Sequence, residues 1–190
     1  KEEAALLGVE INEGKIGEEK PTSWFELINS GNNNMNFTID RKSPPTIAFY
    51  SFKGGVGRTT ALIHVAWELA SRGKSIVVMD LDFEAPSIHQ AFESYSAPPA
   101  GLVEYLYQRA IVSSEEVTVK ITDIVGEVPV EKGKLYVIPA GKITQEYIMK
   151  VDDLRNLPVF DKKVWNDVRN EIVMQLMPDL IMVDSRTGFN

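Results

Sequence analysis

Eight consecutive residues, Lys53-Gly54-Gly55-Val56-Gly57-Arg58-Thr59-Thr60, have the types and spacing to hold a polyphosphate. The glycines let the backbone curl so that its N–H groups point inward, and a following helix would add the positive end of its dipole. Thr59 opens that helix, and its hydroxyl is placed to ligate Mg²⁺. Two acidic segments complete the set. Asp80-Leu81-Asp82-Phe83-Glu84-Ala85-Pro86 follows one apolar run, and Asp184-Ser185-Arg186-Thr187-Gly188 follows another. Carboxylates at i and i+2 project from one side of an extended strand end, so Asp80 and Asp82 are expected to face the same space.

These residues need a scaffold that brings strand ends together. Thr46 to Ser51, Ser75 to Asp80, Leu135 to Pro139 and Leu180 to Asp184 are short apolar runs, the pattern of strands buried on both faces. Between them, helices are predicted from Thr59 to about Arg72, ended by Gly73, and from Gly101 to Ile111. A longer helix capped by Asp161 carries Trp165, Val168, Ile172 and Leu176 at helical spacing and stops at Pro178. Val117, Val119 and Ile121 alternate with polar residues and predict a half-exposed strand. Strands alternating with helices give an α/β fold: a mainly parallel sheet of the P-loop type, with helices on both faces. Residues 46–190 are assigned to this domain and residues 1–45 to a leader or the end of a preceding segment, ordered only in part. The chain starts at Lys1 and stops at Asn190, just past a strand end, so the expectation is the N-terminal portion of a longer domain.

The octet resembles the deviant Walker A motif of the ParA/MinD family of ATPases, the branch that includes the nitrogenase iron protein. The likeness covers roughly residues 46–190. Lys53 stands at the position of the family's signature lysine, which reaches the partner's phosphates across a nucleotide-sandwich dimer. The resemblance implies ATP and Mg²⁺ as cofactors, with Lys53 to Thr60 and the Gly188 N–H on the phosphates. It implies that Thr59, Asp80 and Asp184 form the metal shell, and that Lys53, Arg58 and Asp82 serve hydrolysis, Asp82 by orienting the attacking water. It also places the Asp184 strand beside the Thr46–Ser51 strand. Two positions depart from the family pattern. The usual P-loop lysine is Arg58, and the segment after Asp184 has Ser185-Arg186-Thr187 where a proline is customary. Arginine is planar and forked where lysine is a compact charge. Firm ground-state binding and slower turnover than with lysine are therefore expected.

Composition excludes other classes. The 190 residues include no cysteine, 20 Lys plus Arg and 27 Asp plus Glu, for a net charge of −7. This leaves no disulfide framework, thiolate metal site or cysteine nucleophile, and it fits a reducing, cytoplasmic setting. The acid excess disfavours broad nucleic-acid or membrane-surface binding. His64, Glu68 and Arg72 lie four apart and read as one polar stripe of a helix, while His89 has no second histidine beside it to make a zinc site. Trp67 and Trp165 read as packing residues.

The expected function is Mg-ATP binding with slow hydrolysis that switches dimerisation or contact with a protein partner or further domains. Two alternatives remain at this point: a nucleotide-gated scaffold with little turnover, and a protein resembling the bacterial tyrosine kinases.

Overall fold

The computed structural model describes residues 44–92, 94–111, 117–155 and 162–185. Its strands are β1 (Thr46–Phe49), β2 (Ser75–Asp80), β3 (Gly126–Val128), β4 (Lys134–Ile138) and β5 (Leu180–Asp184). The helices are α1 (Arg58–Ser71), α2 (Leu102–Ile111), α3 (Gln145–Arg155) and α4 (Lys162–Leu176). The sheet order is β1-β5-β2-β4-β3, parallel throughout except for the antiparallel β3–β4 pair. All described residues fall in one compact unit, Ile39–Asn190. The segment read as a leader, the Asp161 cap, and Arg186, Thr187 and Gly188 lie outside the described residues, apart from Pro44 and Pro45.

Side-chain alternation along the central strands builds two cores. Ile76 and Val78 of β2, Leu135 and Val137 of β4 and Met182 of β5 pack with Leu62, Ala66 and Ala70 of α1. Val77 and Met79, with Ile181 and Val183, pack on the other face with α2, α3 and α4 through Leu102, Leu106, Val151, Leu154, Val168 and Ile172. The period of two sends successive strand residues to opposite faces, so a strand apolar at every position needs helices on both sides. Gly73, with φ of 91°, ends α1 where expected, because a left-handed residue there costs glycine little.

Two expectations fail. β1 was expected to be buried on both faces, yet Thr46, Ile47 and Ala48 are exposed. β1 is an edge strand, paired with β5 alone among the described residues, so its apolar residues lack the cover that β2 and β5 have. The predicted strand at Val117 to Ile121 is absent. Residues 117–120 have no regular structure, and Ile121–Ile124 is a 3₁₀ turn. The Gln108 side-chain oxygen accepts the N–H groups of Thr118 and Val119, both at 3.0 Å, and the Asp123 carboxylate accepts that of Lys120 at 2.9 Å. Side chains thus take the donors that a ladder would need.

Candidate nucleotide site

Parallel register assembles the site. Phe49 of β1 pairs with Asp184 of β5, and Asp184 pairs with Asp80 of β2, so the start of the glycine loop and two carboxylates line up at one sheet edge. Ligands of open α/β sheets bind at this carboxyl edge. Ser185 locks the β1–β5 end: its N–H and its hydroxyl both donate to the Phe49 carbonyl, at 3.1 and 2.7 Å.

The loop runs from β1 into α1 with Gly55 and Gly57 at φ of 73° and 81°. A Cβ at either glycine would meet nothing within 4 Å, so the requirement for glycine is conformational. Gly57 caps α1 with no side-chain hydrogen bond, and no acid occupies the first turn. The helix start therefore has no side-chain anion of its own. Lys53 is exposed on the loop, flanked by Phe52 and Val56, which are 65% and 59% exposed.

Four expected residues meet below the loop. The Thr59 hydroxyl donates to Asp184 Oδ2 at 2.6 Å. Arg58 Nε donates to Asp184 Oδ1, and Arg58 Nη2 donates to Asp82 Oδ2 at 3.2 Å. The guanidinium is therefore turned toward the carboxylates, with its side chain 9% exposed and Asp184 at 1%. Burial works against the arginine's charge, but hydrogen bonds and charge from Asp184 and then Asp82 outweigh it and raise its pKa further.

Asp80 holds the segment after β2. Its Oδ1 accepts the Asp82 N–H at 3.0 Å, and its Oδ2 accepts those of Ser87 and Ile88 at 3.1 and 3.3 Å. Burial pushes its pKa up to about 6, against the pull of those three donors, and neighbouring Asp184 adds to the rise. Because the folded chain holds this proton above the ordinary value of 3.8, the associated stability is greatest below pH 4 and is lost as pH rises through 6. The stability of the parent minus that of Asp80→Asn is expected to fall by about 2 kcal/mol between pH 4 and pH 7. Denaturant unfolding at several pH values checks this, and a flat difference would refute it.

A contact missed in the sequence ties α3 to the same segment. The Tyr147 hydroxyl donates to the Phe83 carbonyl at 2.9 Å, and Arg155 pairs with Glu84. Tyr147, Val151 and Leu154, buried at i, i+4 and i+7, were the available signal for this helix. His64 and Glu68 on α1 and Arg72 at its C-cap are all exposed, as a polar stripe requires. His64 Nδ1 lies 2.8 Å from the Thr60 carbonyl, and Arg72 pairs with Glu68. Trp67 is half-exposed and stacks on Phe92, and Trp165 packs against the α2–α4 core.

The residues suit Mg²⁺ that arrives with a phosphate ligand. A hydroxyl and a carboxylate are hard oxygen donors, and Mg²⁺ commonly takes one or two carboxylates plus phosphate and water. Arg58 Nη1 is buried without a hydrogen-bond partner, a donor suited to an anion.

A mainly parallel sheet, a left-handed glycine loop between β1 and α1, and acids ending two central strands define an α/β domain of the P-loop type. Residues 45–183 match the AAA_31 family, described as an AAA domain, and the chain belongs to that family. Similar solved structures include a plasmid partition protein from Borrelia burgdorferi, at 19% identity and a TM-score of 0.46, covering 76% of this chain and 56% of that one. Another is the septum site-determining protein MinD of Pyrococcus horikoshii complexed with Mg-ADP, at 19% identity and a TM-score of 0.45, covering 78% and 51%. A Rhizobium rhizogenes protein assigned provisionally as replication protein A is 36% identical over 74 residues, 39% of this chain and 18% of its own length. The chain thus spans about half the length of these solved structures and less than a fifth of that relative.

Proposed function

We propose that the chain is a ParA/MinD-type module that binds Mg-ATP, hydrolyses it slowly and uses its nucleotide state to switch dimerisation or a partner contact. The observation that carries this reading is the convergence of Arg58, Thr59, Asp82 and Asp184 beside a glycine loop with two left-handed residues. Phosphoryl transfer to water needs positioning and charge neutralisation more than covalent chemistry. Lys53 to Thr60 hold the phosphates, with the Gly188 N–H on the γ-phosphate. Thr59, Asp80 and Asp184 would form the metal shell, and Asp82 would orient the water. When bound, Mg²⁺ would supply charge neutralisation for the phosphates. The exposed Lys53, between Phe52 and Val56, supports a subunit surface at the loop.

The reading carries residues 46–190 as part of a larger ATPase domain, residues 1–45 as a preceding segment, and a cytoplasmic location. No helix among the described residues is long and apolar enough to cross a membrane.

Thr59→Ala removes a metal ligand and the 2.6 Å bond to Asp184. The Mg²⁺-dependent part of ATP affinity is expected to drop about tenfold. Calorimetry with and without Mg²⁺ tests this, and an unchanged Mg²⁺ dependence would remove Thr59 from the metal shell.

A further inference from the structure

The cation that neutralises the acids of this site is a side chain. Of the three guanidinium nitrogens of Arg58, Nε is bonded to Asp184, Nη2 to Asp82, and Nη1 is buried with no partner. Asp184 accepts on both oxygens, from Arg58 on Oδ1 and from the Thr59 hydroxyl on Oδ2. Asp82 is also held on both sides, by Arg58 on Oδ2 and by the Ala85 N–H at 3.3 Å on Oδ1. We propose that Arg58 is a latch occupying the divalent-metal position of the free protein, so that a polyphosphate must draw the guanidinium off Asp184 before Mg²⁺ can bind.

The proposal rests on the nucleotide-binding reading and adds an order to it. A metal ion approaching Asp184 meets a fixed positive charge already bonded to that carboxylate, and like charges in a poorly solvated site repel. A phosphate does the opposite. It is attracted to the guanidinium and offers several oxygens in the geometry that an arginine fork accepts. It can also satisfy Nη1, which the closed arrangement leaves unmade, and an unmade buried donor favours any rearrangement that pairs it. An anion therefore opens the latch and a cation does not. A lysine here could reach Asp82 and Asp184 only through one nitrogen, whereas the guanidinium meets them through two, Nε and Nη2. The arginine substitution thus gives the free protein a closed state as well as a different phosphate ligand.

The test uses the whole protein, Mn²⁺ as the metal probe and no nucleotide. Free Mn²⁺ is followed by electron paramagnetic resonance. The parent should bind Mn²⁺ at least about tenfold more weakly than Arg58→Gln, a difference of about 1.4 kcal/mol. Adding Asp184→Asn to Arg58→Gln should abolish the gain. Equal Mn²⁺ affinity in the parent and Arg58→Gln would overturn the latch, as would a gain that survives loss of Asp184. A second measurement needs no substitution. In ¹⁵N spectra of the parent, the Arg58 Nε–H resonance should be protected from exchange, shift on adding ATP with EDTA, and stay in place on adding Mg²⁺ alone. A resonance moved by Mg²⁺ alone would refute the order. Failure to bind any nucleotide would defeat the proposed function, yet the nucleotide-free Mn²⁺ comparison would still report on the latch.

Discussion

Asp82→Ala is expected to slow ATP hydrolysis by about a hundredfold while changing ATP affinity little. Asp82 sits two residues beyond the end of the buried strand β2, where its N–H is held by Asp80. One of its oxygens accepts the Ala85 N–H, and the other accepts Arg58. These bonds aim the carboxylate without exhausting its lone pairs, since each oxygen can accept twice. A group so held can orient a water and take up its developing proton, an interaction made in the transition state and not on the bound substrate. Loss of the carboxylate should therefore appear in kcat. The Arg58–Asp184 bond does not involve Asp82, so the free variant is expected to fold normally. Steady-state phosphate release beside calorimetric ATP titration separates the two effects. A variant that hydrolyses at the parental rate would reduce Asp82 to a turn acid that steadies Arg58.

Lys53→Ala is expected to abolish ATP-induced dimerisation and to leave the folded monomer intact. Lys53 is exposed at the front of the loop, and the neighbouring Ser51 hydroxyl donates to its carbonyl at 3.1 Å, which fixes the backbone and leaves the side chain in solvent. A long cation on a fixed backbone can reach the phosphates of a second copy, and flanking Phe52 and Val56 offer apolar area for that copy to cover. Truncation at Lys53 removes only exposed atoms, so thermal stability should move little. Light scattering with and without ATP in the complete, dimer-competent protein reads the outcome. An ATP-dependent mass increase that persists in Lys53→Ala would exclude the lysine from the contact. No increase in the parent would count against the nucleotide-sandwich dimer.

Much of this was legible locally. Ile76 to Asp80 and Leu180 to Asp184 are apolar at nearly every position, and such runs are stable only as strands covered on two faces. The glycine spacing before Arg58 required left-handed turns, and Gly55 and Gly57 adopt them. Failures came where a partner decides the state. Thr46 to Phe49 has the same apolar pattern as β2, but its place at the sheet edge leaves it exposed. Val117, Val119 and Ile121 alternate like a strand, but Gln108 takes the donors that a neighbouring strand would have used.

The sequence by itself determined which atoms the site contains: a glycine loop, a threonine and an arginine at a helix start, and acids at strand ends. Each depends on short-range rules of backbone conformation and periodicity. Only the tertiary structure decided how those atoms are spent in the free chain. Arg58 and Asp184 are 126 residues apart, and their bond exists because β5 inserts between β1 and β2 in parallel register. The contact of Tyr147 with Phe83 spans 64 residues and depends on α3 packing over the same edge. Long-range bonds of this kind leave no period in the chain, because their geometry is set by strand order and helix packing.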